Sequence, residues 1–442
     1  MFNKALKIVK VLQINGFDAY YVGGCVRDMI MNIEPKDIDI ATDARPNDIG
    51  KLFRNVKHVG KSFGVTLVNG IEVATFRTET CYGLSDKNIE VEYADNIVDD
   101  LSRRDFSINA IAYDPITGVF VDPFNGYDDI TNKVIRFVGN AEDRIFEDPC
   151  RILRALRFIS VFERFHFADK TVEALRKLSF MVHLVPKERV RLELLKTLEC
   201  EFMSGFFVHA RNINVLKYIF PSLDDTVNVD QNKHHDETIF EHCLTCGLVL
   251  PKEKPLLRLA GVLHDVGKIY TKRYNEKIND FQFLGHELVS ADVARKELEL
   301  LTFSTDEINY VVNLIKLHMR IVNNLSPHGI RRLVAKCVEY NVDIDDFIAL
   351  KGADAQANLK KKNNYIPGHD KVLRKRIDDV MTKEAAFSVR DLKINGNDLM
   401  FRFNMRPGPK IGKILNGLFE KVLEDPALNE FESLMSLVKE VI

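Results

Sequence analysis

Strand-period alternation of apolar and polar residues stops near residue 138 and does not return. The 442-residue chain therefore has to join a mixed α/β head to a longer helical part. Within the head, two alternating runs in the segment 65–76 flank Asn69-Gly70, a pair that suits a two-residue hairpin. Residues 3–15 read as a helix stopped at Gly16, 18–22 as a strand, 25–32 as a short helix and 37–41 as a second strand. Past residue 140 helical spacing dominates, as in 151–160 and 190–198. The expected fold class is α+β, with an all-helical region after the head.

At roughly 100–200 residues per domain the length suggests about three domains. A polar stretch, 224–237, and a run from Lys360 to Gly368 mark candidate boundaries. The expected segments are a head (1–138), a helical neck (139–225), a helical body (226–360) and a helical tail (361–442). The net charge is −2, so a nucleic-acid site must be local; residues 144–196 hold 12 Lys/Arg against 7 Asp/Glu. Seven scattered cysteines fit free thiols in a reducing compartment. Lys4, Lys7 and Lys10 interrupt any secretory leader, and no uncharged apolar run reaches the roughly 18 residues of a membrane span. A cytoplasmic protein without a membrane partner is expected.

Two glycines, Gly23 and Gly24, end the first strand and open a helix that carries Arg27. Such a turn lets backbone N–H groups approach a phosphate, and Arg27 can add charge-assisted hydrogen bonds; the alternative is a plain turn. On a strand, Asp37 and Asp39 would share one face and repel each other unless a cation sat between them. Hard carboxylate oxygens together with phosphate oxygens suit Mg²⁺, and two such ions can activate a hydroxyl and stabilise departing pyrophosphate. A solvated pair of edge acids is the alternative. Glu72 on the hairpin is a candidate third carboxylate.

Taken in order, Gly23-Gly24-x-x-Arg27-Asp28, Pro35–Thr42, Glu72–Arg77, Arg103–Ala110 and Glu147–Phe158 resemble the class II CCA-adding tRNA nucleotidyltransferase and bacterial poly(A) polymerase family. The resemblance implies a polymerase-β-like nucleotidyltransferase head followed by neck, body and tail. It implies catalytic metal ions on Asp37 and Asp39, triphosphate contacts from Gly24 and Arg27, and a nucleotide and sugar site lined by Arg104 and Asp105. It also implies CTP and ATP as substrates and the tRNA 3′ end as acceptor, with poly(A) or A-only addition as the alternative output. The segment 80–96 corresponds to the family's flexible loop in length but little in sequence.

Asp148 and Arg151, three apart on an expected helix, can point into one site. Cytosine and adenine each show an amine donor beside a ring-nitrogen acceptor, which a carboxylate and a guanidinium complement. Uracil and guanine reverse that pattern and leave both groups unpaired. Arg154 and Arg157 extend the face toward triphosphate or RNA, or else form a solvated basic surface.

His242, His264-Asp265, His286, His318 and Asp354 carry residue types suited to a divalent transition metal and a water-activating binuclear site. Their contexts, including Leu263-His264-Asp265-Val266-Gly267-Lys268, resemble the HD superfamily of metal-dependent phosphohydrolases. That likeness implies a second activity on phosphate esters, or a hydrolase with an RNA-binding head; a structural domain without activity is the alternative. Cys243-x-x-Cys246 has no companion pair and reads as a helix face rather than a zinc site. In the tail, Pro407-Gly408-Pro409 precedes a helix with Lys410 and Lys413, which suits an RNA phosphate or merely packing.

Overall fold

Asn69 and Gly70 both take positive φ, 52° and 84°, and reverse the chain between β4 (Val65–Val68) and β5 (Ile71–Thr75). That turn matches the strands' right-handed twist. The protein is described by a computed structural model covering residues 1–58, 64–81, 89–320, 325–360, 369–382 and 386–441. The chain forms two units, Met1–Tyr218 and Ile219–Ile442.

The first unit is built on a seven-stranded sheet. Its strands are β1 (Ala19–Val22), β2 (Asp39–Thr42), β3 (Val56–His58), β4, β5, and, after a separate hairpin of β6 (Arg77–Cys81) and β7 (Ile89–Tyr93), β8 (Ala112–Tyr113) and β9 (Phe120–Val121). Their order across the sheet is β3-β4-β5-β2-β1-β8-β9. β2 lies antiparallel to β1 and parallel to β5, with Asp39 opposite Glu72. Val22, Ala41, Phe76, Leu101, Ala110 and Ala112 share one buried cluster on this sheet; full burial of Phe76 or Leu101 contributes about 1.5–3 kcal/mol each. The loop expected within 80–96 lies partly outside the described residues.

The helices between residues 139 and 225 include Ala141–Glu147, Cys150–Val161 and Lys187–Leu198. Asp148 belongs to none of them. It is extended, at φ −148° and ψ 100°, and Pro149 stands at the N-cap of the next helix. The residue before a proline is driven out of the helical region by the pyrrolidine ring, so Asp148 and Arg151 do not share a helix as expected. Two short pairings stand within or at the edge of this otherwise helical region: His166–Phe167 pairs with Val134–Ile135, and Arg273–Asn275 pairs with Asp280–Gln282. Strands of two or three residues are too short for alternation to reveal.

In the second unit the helix Ile239–Val249 packs on Pro255–Leu263 and on Ile344–Ala357, while His286–Leu300 packs on Thr305–Leu317. Toward the C-terminus, Leu399, Ile414, Leu418, Val422, Leu434 and Val438 form a separate core. Residues 361–368, expected as a linker, lie outside the described residues. No helix among the described residues is long and apolar enough to cross a membrane.

Candidate functional site

Asp39 opens β2, and β5 brings Glu72 beside it in register. Asp37 is exposed and lies two residues before the strand rather than on it, with buried Ile38 between the two acids. Burial pushes the Asp39 carboxyl up, the Glu72 and Asp37 charges add to this, and Arg104 opposes it. A carboxyl so raised gains from a cation, and an all-oxygen donor set fits Mg²⁺. Among the described residues, the triplets whose ligand atoms lie within 4.8 Å of one another all fall in the second unit. The head acids therefore form a looser set.

Gly23, at φ 75°, ends β1, and a Cβ there would stand 2.8 Å from Arg104 Nη1. The glycine is what lets the guanidinium lie against the turn. Arg104 donates to Asp100 at 3.0 Å, and its buried Nε has no hydrogen-bond partner. Gly24 opens the helix Gly24–Ile30, in which Arg27 donates to Asp28 at 2.9 and 2.7 Å and to Asn109 at 2.7 Å. The Arg27 guanidinium also lies over the rings of Phe158 and Phe162. Asp105 accepts from Arg154 at 2.8 and 2.5 Å, from Asn109 at 3.0 Å and from the Phe106 N–H at 2.8 Å. Burial would raise the Asp105 carboxyl, but the Arg154 charge and these donors hold it below the ordinary range.

Arg189, missed in the sequence, donates to both oxygens of Asp148 at 3.0 and 2.7 Å. The Cys150 N–H donates to the same carboxylate. Arg151 points elsewhere: its donors reach Glu147 at 2.6 Å and the carbonyls of Arg144 and Arg103, each at 2.9 Å. Arg157 donates to Glu193 at 2.6 Å, and Arg154 is taken up by Asp105. Arg154 and Arg157, expected to face triphosphate or RNA with a solvated basic surface as the alternative, are instead partnered by Asp105 and Glu193, and Asp100, Arg189 and Glu193 are members that no motif marked. The charge count over 144–196 marks an excess of cations and suggests a local nucleic-acid site; it gives no sign of the acids that partner them.

All six candidate ligands of the second constellation converge. His242 Nε2 lies 3.2 Å from Asp354 Oδ1 and 3.5 Å from Asp265 Oδ2; His264 Nε2 lies 3.2 Å from Asp265 Oδ2. On the other side of Asp265, Oδ1 is 3.0 Å from His286 Nε2 and 3.6 Å from His318 Nε2. Gly267 makes this possible, because a Cβ there would meet the Ser290 nitrogen at 2.4 Å and hold the His264-Asp265 turn off the helix His286–Leu300.

Three of the four candidate-ligand imidazoles are aimed by the backbone. Nδ1 of His264, His286 and His318 each faces the carbonyl three residues earlier, at 2.8, 2.7 and 2.6 Å. Donating there leaves each Nε2 as a lone pair turned into the cluster. Two of these, on His286 and His318, face each other at 3.2 Å, and His264 Nε2 and Asp265 Oδ1 are buried without hydrogen-bond partners. Orphaned acceptors converging on one point fit a cation. Burial would push Asp265 up, yet His264 and Lys268 hold it well below the usual carboxylate range. Lys268 Nζ sits 2.6 Å from Asp265, and Glu237 Oε1 lies 3.2 Å from His242 Nδ1; neither was singled out in the sequence. Cys243 and Cys246 are buried within the helix Ile239–Val249, which raises both thiols. Lys410 and Lys413 stand exposed on the tail helix Pro409–Glu424.

Three sequence families match the chain: the poly(A) polymerase head domain over residues 19–136, the RNA- and SrmB-binding site of polymerase A over 164–226, and tRNA nucleotidyltransferase domain 2 over 282–438. The CCA-adding enzyme of Staphylococcus aureus (strain MRSA252) is 28 % identical over 448 residues, covering 99 % of this chain and 98 % of the relative. That of Leuconostoc citreum (strain KM20) is 28 % identical over 445 residues, covering 100 % and 96 %. In fold, the chain resembles the Bacillus stearothermophilus CCA-adding enzyme in complex with CTP, with a TM-score of 0.72, 21 % identity and coverage of 99 % and 98 %. It also resembles the Thermotoga maritima CCA-adding enzyme complexed with tRNA-CCA, at 0.55, 21 %, 100 % and 95 %. The chain thus carries a poly(A) polymerase head domain followed by a tRNA nucleotidyltransferase domain 2, and it is similar over its whole length to CCA-adding enzymes.

Proposed function

We propose that this protein adds C, C and A to the 3′ end of tRNA from CTP and ATP and releases pyrophosphate. The observation that carries the reading is the Asp39–Glu72 register pair, with Asp37 nearby, held against its own repulsion. Mg²⁺ bound by these acids would supply Lewis-acid stabilisation at the α-phosphate and the attacking hydroxyl. Arg104, with a buried unpartnered Nε, and Arg27 offer cationic donors to the triphosphate beside the Gly23-Gly24 turn. Asp105, locked by Arg154 and Asn109, keeps the sugar side of the site in one shape.

Base choice falls to Asp148 and Arg151. Arg189 orients Asp148 yet leaves acceptor capacity on both oxygens, since a carboxylate oxygen accepts more than one hydrogen bond. Asp148 takes the exocyclic amine of C or A, and Arg151 exchanges one of its present partners for the ring nitrogen. In this scheme residues 1–138 hold the reaction centre, 139–225 read the base and 361–442 meet the RNA. The relatives of matching length bear the name CCA-adding enzyme, which supports this output over poly(A) addition. The test is incubation with Mg²⁺, tRNA lacking its 3′ CCA and each labelled nucleotide in turn. Ordered C, C, A incorporation is expected; long A tracts would assign a poly(A) polymerase, and no incorporation would refute the reading.

A second activity, metal-dependent hydrolysis of phosphate esters, is supported by the convergent Nε2 and carboxylate atoms of the second unit. His242, His264, Asp265 and Asp354 form one ligand set, and Asp265, His286 and His318 another. This nitrogen and oxygen donor set suits a divalent transition metal, which when bound would supply activated water. Asp39→Ala should abolish nucleotide addition and spare phosphate release. Loss of both would contradict two separate sites.

A further inference from the structure

Of the six ligands in the His/Asp cluster, five have side chains no more than 6 % exposed, whereas Asp354 is 24 % exposed. Anything entering from solvent meets Asp354 first. Its two oxygens are divided: Oδ1 faces His242 and His264, and Oδ2 faces Lys351, one helical turn earlier on Ile344–Ala357. Lys351 Nζ stands 3.5 Å from Oδ2, long for an ion pair, and its side chain is 20 % exposed. Lys268 differs. Its ammonium is bound tightly to Asp265 at 2.6 Å and to Gln231 at 2.7 Å, and it is buried. Two lysines therefore serve the cluster, and only the one at the rim holds a weak contact that an incoming anion can replace.

We infer that substrates reach the cluster past Asp354 and that Lys351 grips the outer oxygen of a phosphate seated there, so that the site takes terminal phosphate monoesters in preference to phosphodiesters. This rests on the hydrolase reading above. The preference follows from counting oxygens. A monoester has three non-bridging oxygens, enough to face both ligand sets and still offer one to Lys351. A diester has two, and any contact with Lys351 costs it one toward the cluster. A monoester is also the more highly charged anion, which a cationic rim favours. Hydrolysis forms one P–O bond from water and breaks the ester P–O bond, with the water's proton leaving on the alcohol.

The test uses the full chain loaded with Mn²⁺ and inorganic phosphate as the probe, read by calorimetric titration. Lys351→Met should weaken phosphate binding about tenfold, the usual scale for one charge-assisted hydrogen bond, and Lys351→Arg should bind as the parent does. Mn²⁺ stoichiometry should be unchanged in both, which separates lost binding from lost folding. Equal phosphate affinity in Lys351→Met, or no phosphate binding by the Mn²⁺-loaded parent, overturns the inference. Turnover of p-nitrophenyl phosphate and bis(p-nitrophenyl) phosphate scores the hydrolase reading separately. Turnover of neither, with Lys351-dependent phosphate binding intact, refutes hydrolysis and keeps the phosphate site. Faster turnover of the diester, or monoester turnover unmoved in Lys351→Met, refutes the role of Lys351 and keeps hydrolysis.

Discussion

Glu72→Gln should make the protein more stable and less active at once. Asp39 and Glu72 stand opposite each other in parallel register, and Asp39 is raised above the ordinary carboxylate range by burial and then by the Glu72 charge. Glutamine keeps the shape and removes the repulsion. Like charges across neighbouring strands cost about 0.2–1 kcal/mol. Glu72 is exposed, so salt screening places the gain near the lower end, about 0.3–0.5 kcal/mol. In the first unit, Met1–Tyr218, that corresponds to roughly 1–2 °C in Tm.

The pH dependence has a definite sign. A carboxyl whose folded pKa is raised contributes stability that is fully present below its unfolded pKa and is lost as pH rises through the folded value. The melting gap between variant and parent should therefore be absent in acid, where Asp39 is protonated in both, and open as pH rises across the Asp39 titration. Scanning calorimetry in EDTA over that range reads it. Added Mg²⁺ should then raise the parent more than the variant and close or reverse the gap. Nucleotide addition by Glu72→Gln should fall by roughly 100-fold, the scale for losing one preorganised group at a reacting centre. A variant that melts no higher than the parent in EDTA at neutral pH, or that adds nucleotides at the parent rate, would refute the argument that Asp39 and Glu72 are held against their mutual repulsion to bind a cation.

Three further outcomes are expected. Arg189→Met removes both side-chain donors from Asp148; the two side chains are 33 % and 28 % exposed, so stability should fall by only about 1 kcal/mol while UTP incorporation rises relative to CTP, and continued exclusion of UTP would count against base reading by Asp148. Pro149→Ala lets Asp148 turn helical; loss of chain stiffening should cost about 0.4–1 kcal/mol, and CTP-over-UTP selection should drop although both reading residues remain, so an unchanged ratio would show that the break is irrelevant. Mn²⁺ at 100 times its Kd should stabilise the second unit by about 2.7 kcal/mol, seen as a raised Tm that EDTA reverses and that His264→Ala lacks; a Tm indifferent to metal would remove the cluster as a metal site.

What could be read from the residues depended on whether geometry is set locally or across the fold. The hairpin at Asn69-Gly70 is local, because the turn itself demands positive φ at two adjacent residues, and it forms where expected. The histidines of the cluster are nearly as local. His264, His286 and His318 each orient Nδ1 on a carbonyl three residues back, so every ring carries its own aim before the helices meet. His242 and Asp354 can then converge across 112 positions of sequence, since each helix delivers a side chain already turned inward. Asp148 is the opposite case. The i,i+3 rule assumed one continuous helix, and Pro149, in plain view, breaks it by forcing the preceding residue extended. Once extended, Asp148 takes its direction from Arg189, 41 residues away on another helix, and no short-range pattern could name that partner. The same holds for Arg157 with Glu193 and for Arg154 with Asp105. Charge counting located the excess of arginine, but burial decided its fate: a guanidinium moved out of water must find a carboxylate, and packing across the neck chooses which. Asp148 and Arg151, proposed to read the base, are therefore set by partners whose loss can be measured one at a time. In the His/Asp cluster, His264, His286 and His318 are aimed by backbone carbonyls that no side-chain substitution removes.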